Sequence, residues 1–72
     1  MLVDVGREIR GLRLRKGWSG ARLARLSGVS QQFLSEVERG RKIPGLVVLD
    51  AIATALGVAA ADLLRGENNR LD

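Results

Sequence analysis

GARLARLSGVSQQFLSEVE, residues 20–38, reads as two short helices joined by a tight turn. Ala24 falls where the first of these helices passes closest to the second, and a larger side chain would push them apart. Gly28 ends the first helix, at a turn that needs a positive φ, which glycine adopts without a Cβ clash. Leu23, Val29, Leu34 and Val37 are apolar at the spacings that seal the inner faces. Ser19 and Ser30 precede the two helices as N-caps, and two adjacent glutamines, Gln31 and Gln32, open the second. A lone Ala or Gly would carry little weight. Ala24 and Gly28 four apart, Leu34 six further on and Val37 three beyond it form a specific constellation.

The rest of the composition limits what such a chain can do. Seventy-two residues make one small domain, near the lower size at which a single core holds without staples. There is no Cys and no His. That removes disulfides, thiolate chemistry, the usual zinc ligand sets and the nucleophile–base pairs that use His. No convergent carboxylate cluster replaces them. The sequence therefore points away from an enzyme, and to no cofactor, no metal and no evident small-molecule ligand. Nothing resembles a secretory signal, so a cytoplasmic protein is the simplest reading. Residues 45–64 are largely apolar, yet Asp50 and Asp62 interrupt them. An acidic residue near mid-bilayer costs about 2.5–3.5 kcal/mol, and two amphipathic helices fit this stretch better than a membrane span.

Charge is unevenly placed. Residues 1–42 hold ten Arg or Lys against four acids, a net +6, whereas residues 43–72 hold two against four, a net −2. The positive part contains the paired helices, as expected of a surface that meets phosphate. Charge alone would suit an ordinary solvated basic face; its coincidence with the motif favours a nucleic-acid surface.

Working outward, residues 5–16 are expected to form a first helix, with Asp4 as its N-cap and Gly17 as its stop. Val5, Ile9, Leu12 and Lys16 give it one apolar stripe ending in a long charged stem, and Leu14 lies off that stripe. Trp18, the only tryptophan, precedes the Ser19 cap and is expected to staple the next helix to the core rather than to stack on a base. Helices over residues 20–27 and from Gln31 to Glu38 or Arg39 follow, the latter stopped by Gly40. RGRKIPG, residues 39–45, is a cation-rich loop. A fourth helix over residues 46–56 places Leu46, Leu49, Ile52, Ala53 and Leu56 on one face and stops at Gly57. A short fifth, residues 59–64, supplies Leu63 and Leu64. The domain is expected to occupy residues 1–66, with residues 67–72 a polar C-terminal tail.

With these residues in place, the chain resembles the lambda-repressor/Cro-like helix-turn-helix family, also called the Xre family. The likeness runs from Ile9 to Leu64. It includes Arg13, Gly17, Ser19, Leu23, Ala24, Gly28, Ser30, Leu34, Val37, Glu38 and Gly40, then Pro44, Leu49, Leu56 and Gly57. It implies an all-α, compact five-helix domain that binds double-stranded operator DNA in the major groove as a homodimer. It also implies an ion pair between Arg13 and Glu38, and phosphate contacts from the loop holding Arg39, Arg41 and Lys42. The chain departs from the family at three positions, the first directly after the Ser19 cap and the other two at caps. Gly20 stands where the family often has a phosphate-reaching Gln, Gly45 where Ser or Thr often caps the fourth helix, and Ala59 where Ser often caps the fifth.

Gln31 and Gln32 begin the helix that would enter the groove. A Gln amide donates and accepts at once, matching the N7 acceptor and N6 donor of adenine. Ser35 lies one turn on, on the same face. Glu36 could accept from a cytosine amine or act as a charge filter against phosphate. Phe33 is divided evenly between partial burial and contact with a thymine methyl. Ser19, Arg22 and Ser30 join the loop cations as candidate phosphate or groove contacts. Leu63 and Leu64 are either core or a dimer seam. The function that follows is a sequence-specific DNA-binding transcriptional regulator, a repressor first among the options. The alternative is an antitoxin or adaptor that uses the same fold mainly to bind protein, and an exposed apolar patch would favour it.

Overall fold

A computed structural model describes the backbone of residues 2–69 and the side chains of residues 5–64. Five helices follow one another: α1 Leu2–Arg15, α2 Gly20–Ser27, α3 Gln31–Glu38, α4 Leu46–Leu56 and α5 Ala60–Asn69. No strand occurs among the described residues, and none of their helices is long and apolar enough to cross a membrane.

The two central helices start and stop where their side chains dictate. The Ser19 hydroxyl accepts from the Arg22 N–H at 3.1 Å, and the Ser30 hydroxyl from the Phe33 N–H at 3.0 Å. Each satisfies one N–H that a helix start leaves without a partner. Between them Gly28 takes φ 77°, and the Val29 N–H donates back to the Ala24 carbonyl at 3.0 Å. This left-handed closure reverses the chain within two residues and sets α3 across α2.

α2 lies against α3 and α4, and α1 lies against α3, α4 and α5. Where they meet, Val5, Ile9, Leu23, Ala24, Leu34, Val37, Leu49, Ile52, Ala53, Leu56 and Leu63 form one buried core. Leu12, Trp18, Val29 and Phe33 pack on its margin. Leu14, off the α1 stripe, is exposed. Gly6 has a role that its sequence context does not signal. A Cβ there would collide with the Val37 carbonyl and stand 3.0 Å from that of Glu38. The missing side chain lets α1 press against the end of α3.

Several expectations change. α1 begins at Leu2, so Asp4 lies within its first turn instead of capping it; Leu2 and Val3 contain no helix breaker to stop the turn forming earlier. Lys16 falls just past the helix end. Leu46 is 75 % exposed: it lies on the same stripe as Ala53, but it is the first residue of α4 and the buried part of that stripe begins only at Leu49. Leu63 is fully buried in the core, which removes it as a dimer seam; Leu64 remains partly exposed. α5 starts one residue later than expected and runs through Gly66 to Asn69, taking in residues assigned to the tail; residues 70–72 lie outside the described residues. Its start is fixed from inside. The Asp62 carboxylate accepts from the Ala59 N–H at 2.9 Å, half of a capping box in the absence of a capping serine. α4 has no such substitute, and Gly45 makes no side-chain cap bond.

Candidate nucleic-acid interface

The first turns of α3 present one open concave face lined by Gln31, Gln32, Ser35, Glu36 and Arg39. All four residues expected to read bases are therefore together, joined by a loop cation. The Ser30 cap fixes where α3 starts, and the buried Leu34 and Val37 fix its rotation about its own axis. Gln31 and Gln32 are left exposed, with Ser35 and Glu36 half-buried behind them. Long amides at a helix N-terminus with no intramolecular partner are suited to a bidentate contact with a base edge.

The basic loop is tied to this face. The Arg41 N–H donates to the Glu36 carbonyl at 2.8 Å, and the Lys42 N–H reaches the same oxygen at 3.3 Å. Phe33 is half-buried against the core, and the Lys42 ammonium sits 5.8 Å from the centre of its ring. The ring thus combines partial burial with support for a cation. Arg39, Arg41 and Lys42 are exposed beside the concave face.

A second group of cations gathers at the start of α2. Lys16 and Arg22 stand 5.1 and 5.0 Å from the centre of the Trp18 ring. Trp18 is half-buried against the core, so the ring is a fixed platform and the cations on it are restrained. Sequence reasoning assigned Trp18 to the core and missed this second role; the available signal was a basic residue two before and another four after a lone Trp.

Arg13 connects the two groups. Its Nε and Nη2 donate to the Glu38 carboxylate at 2.8 and 2.9 Å, and its Nη1 donates to the Trp18 carbonyl at 2.8 Å. Both side chains are close to buried. The hydrogen bond to Glu38 raises the Arg13 pKa above its ordinary value against the opposing effect of burial, and the charge of Glu38 adds to the rise. One guanidinium therefore fixes the end of α3 relative to the turn that carries the Trp18 platform. Planar, bidentate geometry of this kind suits Arg and not Lys.

Two helices set by a glycine turn, with exposed amides on the second and restrained cations on both sides, define a helix-turn-helix DNA-binding domain. The chain belongs to the lambda-repressor/Cro-like (Xre) helix-turn-helix family, and the family description "Helix-turn-helix domain" matches residues 4–65. It is 42% identical over 60 residues to the uncharacterised HTH-type transcriptional regulator y4dJ of Sinorhizobium fredii, covering 83% of this chain and 78% of that one. It superposes on the restriction-modification controller protein C.AhdI of Aeromonas hydrophila with a TM-score of 0.83 and 40% identity, covering 86% of this chain and 94% of that one. The immunity repressor protein of Bacillus phage phi105 is 32% identical over 65 residues, covering 90% of this chain but 45% of the repressor. The chain is a transcriptional regulator of this helix-turn-helix kind.

Proposed function

We propose that this protein is a repressor that occupies operator DNA as a homodimer, with α3 of each copy in the major groove. The observation that carries the reading is the shared concave face of Gln31, Gln32, Ser35, Glu36 and Arg39 on α3. In this reading Gln31 and Gln32 read adenine edges, and Ser35 and Glu36 contact neighbouring bases. Arg22, Arg39, Arg41 and Lys42 hold phosphates and set register without carrying sequence information. The Ser19 and Ser30 hydroxyls accept from the backbone as caps and still have an O–H to donate to the phosphate chain. Phe33 acts through Lys42.

Repression needs no chemistry. The bound protein blocks polymerase at its site, in the bacterial cytoplasm on the nucleoid. One recognition helix spans only a few base pairs, so useful discrimination calls for two, on half-sites about one helical turn apart. The kinship with a phage immunity repressor supports repression over activation. A second reading, a protein-binding adaptor, draws on the exposed apolar residues Ile43, Leu46 and Val47. Selection of bound sites from a random DNA pool at stated salt separates the two. A repressor enriches one two-fold consensus, whereas an adaptor with incidental DNA affinity enriches none.

A further inference from the structure

α2 begins without a side chain that can reach far from the helix. Gly20 and Ala21, its first two residues, are too short to meet a phosphate. The nearest long donors are Lys16, just past the end of α1, and Arg22, within the first turn of α2. Both are exposed, and neither makes an ion pair among the described residues. Exposed Lys and Arg side chains left to themselves sample many rotamers, and ordering them on a phosphate costs entropy.

Trp18 restricts that freedom. The centre of its ring lies 5.1 Å from the Lys16 ammonium and 5.0 Å from the Arg22 guanidinium, within the range at which a ring face attracts a cation. The ring is itself held. It packs against the core, and Arg13 takes both backbone polar groups of Trp18. The Trp18 N–H donates to the Arg13 carbonyl at 3.1 Å, and the Trp18 carbonyl accepts from Arg13 Nη1 at 2.8 Å. Arg13 also holds Glu38 at the end of α3. A continuous chain of contacts thus places the two cations relative to the reading helix. Two like charges gathered at one ring repel each other in the free protein, and an anion beside them relieves the repulsion.

We propose that Trp18 is a positioning residue for DNA binding, whose ring holds Lys16 and Arg22 ready for the phosphate chain at the start of α2. The inference rests on the DNA-binding reading and adds Lys16 to the phosphate contacts. Trp18 acts through the two cations and needs no contact with DNA itself.

Fluorescence anisotropy of a labelled, mixed-sequence DNA duplex, titrated with the full chain over a range of salt, tests this, because phosphate contacts carry no sequence information. Lys16→Ala and Arg22→Ala should each reduce the slope of log affinity against log salt by about one. Trp18→Leu keeps both charges and an apolar side chain on the core but removes the ring. It should weaken binding about three- to tenfold at fixed salt, with the slope nearly retained. Made in a chain that already carries Lys16→Ala and Arg22→Ala, it should weaken binding no further. Trp18→Phe, which keeps a ring, should recover most of the loss. Full affinity in Trp18→Leu would overturn the proposal, and so would an equal loss in both backgrounds, which would make the ring merely structural. The emission of Trp18, the only tryptophan, gives a second readout that needs no substitution at the ring. Saturating DNA should shift it in the wild type, because phosphate changes the field of the two cations at the ring. The double alanine variant, altered only at exposed positions and checked by a circular dichroism melt, should show no shift. A wild type without the shift, or a shift that survives in the double variant, also overturns the proposal. A wild type that binds no duplex at low salt removes the DNA reading and the platform together, whereas binding indifferent to Trp18 removes the platform alone.

Discussion

Among single residues, Arg13 and Gly6 do most to set the geometry of the DNA face. Arg13 spends three donors on two elements, Glu38 on α3 and the Trp18 carbonyl, so removing it leaves an almost buried carboxylate without its partner. Arg13→Ala should cost about 1–3 kcal/mol, below the figure for a wholly buried pair because both side chains keep some contact with water. Arg10→Ala, on the exposed side of α1, should change stability little. A double-mutant cycle with Glu38→Ala, followed by urea melts, should show a coupling of about 0.5–3 kcal/mol, and zero coupling would remove the pair from the account. Because the folded-state pKa of Arg13 is raised, the stability it contributes is present below the ordinary arginine range and lost only as pH rises through the raised value. Alkaline titration towards that range therefore leaves this contribution in place. Gly6→Ala drives a methyl into the Val37 carbonyl and should destabilise by about 1–3 kcal/mol in the same melts, whereas alanine at the open Gly20 meets no atom within 4 Å.

The helices show what could be read in advance and what could not. α2, α3 and α4 have the expected bounds because their signals are local: Ser19, Gly28, Ser30 and Gly57 act on backbone groups within five residues. The concave face of α3 was legible for the same reason, since a cap and two buried residues fix which side chains point out. The misses are tertiary. Gly6 matters only because another helix passes over it. Leu46 and Leu63 exchanged surface and core because helical spacing gives a face but not where the neighbour begins. The start of α5 was obscured because Asp62 caps it from within, where Ala59 has no side-chain oxygen to do so. α2 starts on a poor helix former, since Gly20 is its first residue and has open space around it. Gly20→Ala should stabilise the fold by about 0.5–1 kcal/mol, read as a rise of a few degrees in Tm. A lower Tm would mean that the glycine is needed for a contact that alanine disturbs.

On the scale of the whole molecule, one core carries two kinds of side chain to which the proposed DNA reading gives different roles, and the two should respond differently to substitution. The loop cations beside α3 are placed to meet phosphate, so Arg41→Ala and Lys42→Ala should weaken every DNA sequence alike. Each should also reduce the slope of log affinity against log salt by about one. An unchanged slope would remove that residue from the phosphate contacts. The glutamines should do the opposite, changing which sequence is preferred. The most direct test is to select bound sites from a random DNA pool with the wild-type chain, with Gln31→Ala and with Gln32→Ala, all at one salt concentration. The account predicts a two-fold consensus for the wild type. It predicts for each variant a loss of about 1–3 kcal/mol on that site and relaxed preference at one base step in each half. The same consensus from all three proteins would contradict the placement of α3 in the groove.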